Sequence, residues 1–81
     1  MEGDLQRTVG HNLRAYRQAK CLSQEAFADV LEVHRTYMGG IERGERNLTL
    51  KSLERIAGRL DLDPLVLLGQ GFQPPSDESR E

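Results

Sequence analysis

Arg35, Thr36 and Tyr37 stand in a row, followed closely by Gly39, Gly40 and Arg43, within the stretch SQEAFADVLEVHRTYMGGIERG that runs from Ser23 to Gly44. These side chains mostly donate hydrogen bonds, and two positions among them carry no side chain at all. An arginine can bridge O6 and N7 of one guanine with two parallel bonds, and a threonine can bond a base edge while its methyl meets a thymine methyl. A tyrosine can lie along a sugar–phosphate wall or reach a base with its hydroxyl. Each residue also has a plainer reading. Arg35 fits as a solvated surface arginine, Thr36 as packing at a helix start, and Tyr37 as a half-buried ring against the preceding helix. Two glycines inside a helix each cost roughly 1 kcal/mol relative to alanine. They either let the backbone approach a groove floor closely or leave the helix loose.

The flanking pattern predicts how these residues are held. Phe27 and Leu31 are four apart and share one face of a helix over about 24–31. Ser23 is its N-cap, and Glu25 suits its positive end. Val33 plugs the corner beside Glu32. Counting that as helix two of the chain, helix three over about 35–43 turns Met38 and Ile41 inward, with His34 as cap and Gly44 as stop. Ala28 is small where this helix must cross the first. The face left outward is His34, Arg35, Thr36, Tyr37, Gly39, Gly40 and Arg43, short and polar enough to enter a DNA major groove end-on. Arg43, Arg46 and Asn47 flank its far end as phosphate clamps. The competing reading for Arg43 and Arg46 is ion pairing with Glu42 or Glu45.

The remaining chain supplies the frame. Leu5, Val9, Leu13 and Tyr16 recur at helical spacing and predict a first helix from near Asp4, its N-cap, to about Ala19. Thr49 caps a fourth helix over about 50–60, with Leu50, Leu53, Ile56, Ala57 and Leu60 inward. Asp63-Pro64 opens a fifth, because proline at the first helical position loses no needed N–H. The expected architecture is an all-α, compact five-helix domain over residues 1–69, followed by a polar, proline-containing flexible tail over 70–81. Leu65, Val66, Leu67 and Leu68 are consecutive, and one face of a short helix cannot bury all four. With Leu62 and Phe72 they predict a homodimer contact; the alternative is that the tail folds over them.

Composition narrows the classes. The chain has 81 residues, which suits one small domain whose core is marginal alone and gains from pairing. The formal net charge is −2, with acidic residues toward the ends (Glu2, Asp4, Asp77, Glu78, Glu81) and Arg7, Arg14, Arg17, Lys20, Arg35, Arg43 and Arg46 in the first half. Non-specific, charge-driven DNA affinity should therefore be weak, with few contacts carrying specificity. His11 and His34 have no ligand partners at metal spacing, and the single Cys21 makes an internal disulfide impossible. No phosphate loop, nucleophile elbow or paired-carboxylate constellation is present, so neither an enzyme, a cofactor nor a small-molecule ligand is expected. No apolar run is long enough for a membrane span and no signal peptide is evident, which predicts a soluble, cytoplasmic protein.

At LSQE, at HRTYxxGIERG, at RNLTLKSL and at the IAxxL run, the chain resembles the Cro/repressor-like helix-turn-helix regulators, the XRE family, from about Val9 to Leu68. The match of RTY to IERGxRN is most similar to the controller proteins of restriction–modification systems. The resemblance implies that Gln24 spans from a DNA phosphate to the recognition helix, beside helix-two amides that themselves suit a phosphate. It also implies that Glu42 ties the end of helix three to helix one, with Arg14 or Arg17 as partner. Glu32 departs from the family's usual glycine, at a cost on the order of 1 kcal/mol if the corner is left-handed. Gly39 departs from a serine. The implied function is a dimeric transcriptional regulator on an inverted-repeat operator, its recognition helices roughly 34 Å apart. A phage-type repressor or antitoxin-type autoregulator fits the same residues. A reading from another class is a protein-interaction module that keeps the scaffold without binding DNA, to which the net acidity, the glycine pair and Glu32 lend support.

Overall fold

The computed structural model describes residues 3–75. Five helices follow in order: α1 Asp4–Ala19, α2 Gln24–Leu31, α3 Arg35–Glu42, α4 Leu50–Arg59 and α5 Pro64–Leu67. The start signals read from the sequence do their work locally. The hydroxyl of Ser23 accepts from the Ala26 amide, His34 from Thr36, Thr49 from Ser52, and the carboxylate of Asp63 from Leu65. The first helix is the exception. Its N-cap is Gly3, left-handed at φ 87° and with no side-chain cap bond. Asp4 is instead the first helical residue, where its carboxylate still suits the positive helix end and pairs with Arg7.

Four helices end in the same turn. The residue after the last turn is left-handed at Cys21 (φ 59°), Glu32 (φ 60°), Gly44 (φ 75°) and Asp61 (φ 59°). The next amide then donates back five residues: Leu22 to Arg17, Val33 to Ala28, Glu45 to Gly40 and Leu62 to Ala57, at 2.9–3.0 Å. Only Gly44 uses glycine. Glu32 occupies the left-handed corner expected of it and directs its carboxylate to Arg59 on α4, an exposed pair that contributes little. Cys21 is exposed and free. Cys21→Gly should therefore raise stability by about 0.5–1 kcal/mol, the left-handed penalty less the extra chain entropy of glycine. A denaturation midpoint that fell instead would show that the Cys21 side chain contributes more than the backbone strain it carries.

The core is built from Val9 and Leu13 of α1, Phe27, Ala28 and Leu31 of α2, Met38 and Ile41 of α3, and Leu53, Ile56 and Ala57 of α4, closed by Leu60 and Leu67. The Tyr16 ring stacks on Phe27 with centroids 5.8 Å apart. Val33 packs against this cluster from the corner, as its position predicts. Two leucines expected inside are not: Leu5 is 61% and Leu50 77% exposed. Both lie in the opening turn of their helices and rim one apolar hollow floored by Val9, Leu48, Leu53 and Leu68. Among the described residues, no element covers them.

The expected pairing surface needs a correction. Leu67 is fully buried in the monomer and belongs to the core. Leu65 is 70% and Val66 43% exposed, while Leu62, Leu68 and Phe72 are half-buried against the cluster. A four-residue helix is too short for periodicity to set its phase, and the packing of α5 on α1 and α4 selects Leu67 as the inward residue. Residues 70–75 contain no helix, and Phe72 packs on the core. The rest of the expected tail, 76–81, lies outside the described residues.

Candidate nucleic-acid interface

The second and third helices form the corner that the apolar spacing predicts, and α3 packs against both α1 and α2. What holds α3 is unusually close. A Cβ on Gly10 of α1 would lie 2.2 Å from the Ile41 carbonyl oxygen and 2.9 Å from that of Glu42. The two backbones touch there, and only glycine permits it. One turn of α1 and more beyond, Arg17 grips Glu42 with both ends of its guanidinium: Nε donates to Oε2 at 2.7 Å and Nη2 to Oε1 at 3.0 Å. The same guanidinium donates to the Leu22 carbonyl at 3.0 Å. Of the two partners open to Glu42, Arg17 rather than Arg14 is thus the one used. Gln24 completes the network, donating from Nε2 to Glu42 Oε1 at 3.1 Å. Gln24 thus reaches from α2 to the end of α3.

The opposite face of α3 carries the candidate readers. Arg35 and Thr36 are exposed at its N-terminal end. Arg35 lies 3.7 Å from Glu25, with both side chains about two-thirds exposed, so the pair is weak and easily exchanged for another acceptor. Tyr37 is half-buried against the core cluster, with the Arg46 guanidinium 5.1 Å over its ring. Arg43 donates to Glu45 at 3.1 Å, realising one of the ion pairs weighed for it. Asn47 accepts from Gln6 at 3.3 Å, and Gln6 also donates to the Arg46 carbonyl at 3.1 Å. That loop is therefore tied to the start of α1.

Gly39 and Gly40 are not open surface, in contrast to the outward face expected of them. Both are buried, covered by long side chains rather than by core. A Cβ on Gly39 would lie 3.1 Å from Arg43 Nη1 and 3.4 Å from Gln24 Oε1; one on Gly40 would lie 3.0 Å from Arg46 Cγ. The glycine pair makes a shallow trough into which Gln24, Arg43 and Arg46 fold. Backbone approach at this trough requires those arms to swing aside, and the far ends of flexible side chains can do so at small cost.

Two residues that position the site carry no weight in the sequence reading. Gly10 sets the approach of α1 to α3, and Asn12 is a buried amide that donates to the Leu67 and Gly69 carbonyls, both at 2.9 Å. Asn12 falls three residues after Val9, on the inward stripe of α1, and a polar residue there was the available signal. Among the described residues, no group of three or more His, Cys, Asp or Glu side chains could hold a metal ion, and no helix is long and apolar enough to cross a membrane.

Residues 13–67 match the family model described as Helix-turn-helix. The control protein C.SmaI of Serratia marcescens is 41% identical over 71 residues, covering 86% of this chain and 84% of that protein. The control protein C.BamHI of Bacillus amyloliquefaciens is 38% identical over 69 residues, covering 84% of this chain and 85% of its own length. Among solved structures, the restriction-modification controller protein C.AhdI from Aeromonas hydrophila superposes with a TM-score of 0.68 at 42% identity, covering 76% of this chain and 94% of that one.

Proposed function

Because the chain belongs to the helix-turn-helix family of DNA-binding transcription regulators, we propose that it acts as a restriction–modification controller, a non-catalytic homodimer that reads an inverted-repeat operator through α3. The observation that carries this reading is the asymmetry of α3. Its inner face is locked by Met38, Ile41 and the Arg17–Glu42–Gln24 network, and its N-terminal outer face leaves the Arg35 and Thr36 side chains exposed, Arg35 in a weak pair with Glu25. A rigid helix with free donors at its leading end is what major-groove readout requires. Arg35 and Thr36 read base edges, and Tyr37 contacts the groove wall. Gln24, Arg43, Arg46 and Asn47 hold phosphates, and the trough at Gly39 and Gly40 lets the α3 backbone approach the groove floor closely. Pairing uses Leu65 and Val66, flanked by Leu62 and Leu68, and the protein works in the cytoplasm beside its operator. Its relatives' names, control proteins and restriction-modification controller proteins, support a role in controlling a restriction–modification system.

The test is selection of bound duplexes from a random DNA pool, with Arg35→Ala run in parallel. An inverted repeat should be enriched. Arg35→Ala should cost about 1–3 kcal/mol on that site and relax one base position in each half. Equal loss on random DNA would remove Arg35 from base reading. No enrichment even at low salt, with a flat salt dependence, would favour a protein-interaction module instead. The neighbouring genes then separate the settings: endonuclease and methyltransferase, integrase, or a small toxin.

A further inference from the structure

The geometry points to Asn12 as the positioning residue that sets the spacing between the two DNA half-sites, an inference that rests on the dimeric reading above. A helix of four residues cannot hold its own orientation, since forming a single helical turn is unfavourable by itself. In α5, Leu67 fixes depth by burying its side chain, and Leu62 and Leu68 pack beside it, but apolar contacts are non-directional and set rotation only loosely. Asn12 removes that freedom. It is 3% exposed, and its amide nitrogen donates at 2.9 Å to two carbonyls, Leu67 at the end of α5 and Gly69 beyond it. Both hydrogens of that nitrogen are thus used, in two fixed directions. Leu65 and Val66, the exposed flank of α5, are oriented by this clamp.

The same stretch of α1 holds the reading helix. Gly10, two residues earlier, is where α1 meets the backbone of α3, its absent Cβ leaving room for the Ile41 carbonyl. Within Gly10–Asn12, α1 therefore touches both the end of α3 and the end of α5. It is the rigid piece that relates the reading helix to the pairing helix. In a two-fold dimer any change in that relation occurs in both protomers, and their reading helices shift relative to each other twice over. A displacement of about 3.4 Å along the duplex is one base pair, so small rotations of α5 alter which spacing is read. Asn12 touches no DNA in this account and should leave the bases within each half-site unchanged.

The experiment measures binding of the full chain to duplexes that carry the two selected half-sites at the preferred spacing and at one base pair more or fewer. Wild type should prefer one spacing sharply. Asn12→Ala should reduce that preference about tenfold, the scale of losing two buried hydrogen bonds, with half-site base preferences retained. Asn12→Ser, which keeps one donor, should fall between them. An unchanged spacing profile in either folded variant overturns the assignment, as does a change in half-site bases, and so does a failure of both variants to fold, which would make Asn12 a residue of the fold as a whole. A wild type indifferent to spacing would instead overturn the dimeric reading itself.

Discussion

Leu67→Asp should leave no folded protein, whereas Leu65→Asp should leave a folded monomer that no longer pairs. The two residues are one helical step from being neighbours, and both belong to the same apolar run. Their surroundings are opposite: Leu67 is 0% and Leu65 70% exposed. Truncating a buried leucine already costs about 2–5 kcal/mol, and an unpaired carboxylate in its place adds a desolvation penalty of several more. A domain of this size holds roughly 0.05–0.15 kcal/mol per residue, so the sum is comparable with its whole stability. Leu65→Asp places its charge in water within the monomer and meets a penalty only where a second copy covers it. Circular dichroism melts separate the first effect, and light scattering over a dilution series separates the second. A cooperative, wild-type-like melt for Leu67→Asp would contradict the buried position of that side chain. A dimer that survived Leu65→Asp would move the interface elsewhere.

The contrast also shows where sequence pattern stops being informative. Phe27, Leu31, Met38 and Ile41 are read correctly because each pair repeats within a helix of two turns or more, and the four side-chain caps at Ser23, His34, Thr49 and Asp63 are local features that need no tertiary knowledge. The left-handed corner at Glu32 is implied by the resemblance, through the glycine usual at that place, and Glu32 adopts it at φ 60°. Leu65 to Leu68 carry no period. Leu5 and Leu50 have the right period, but periodicity says which side of a helix is apolar and not whether a neighbour extends that far. Gly10 and Asn12 depend on what lies opposite, a carbonyl of α3 and two carbonyls at the end of α5, contacts separated by more than thirty residues of chain. Among the candidate readers, Arg35 and Thr36 stand exposed where the helical wheel puts them, while Gly39 and Gly40 are covered because Gln24 and Arg43 fold over one and Arg46 over the other. Helical spacing cannot anticipate where a long flexible side chain rests.

Glu42→Ala should be strongly damaging although it leaves every apolar core side chain in place. The Glu42 side chain is 3% and its partner Arg17 15% exposed, so their attraction is little screened by solvent. Removing the carboxylate leaves the guanidinium largely desolvated, with the Leu22 carbonyl as its remaining partner among the described residues in place of three bonds, and leaves Gln24 without its acceptor on α3. Breaking one side of a buried pair in this way costs about 3–5 kcal/mol. Replacing both partners by apolar residues of similar volume is a different experiment, because no charge is then stranded. Arg17→Met with Glu42→Leu should recover most of the lost stability. That variant separates two contributions that the single change confounds. If the paired variant also regains operator affinity, the contact serves folding alone and Gly10 suffices to seat α3. If it regains stability but binds weakly, the directional bonds of Glu42 to Arg17 and Gln24 set the angle at which Arg35 and Thr36 enter the groove. Denaturation by urea gives the first quantity and titration of the selected duplex the second. A Glu42→Ala chain that loses less than about 1 kcal/mol, the range of a surface ion pair, would mean the pair is hydrated in solution and does not anchor α3.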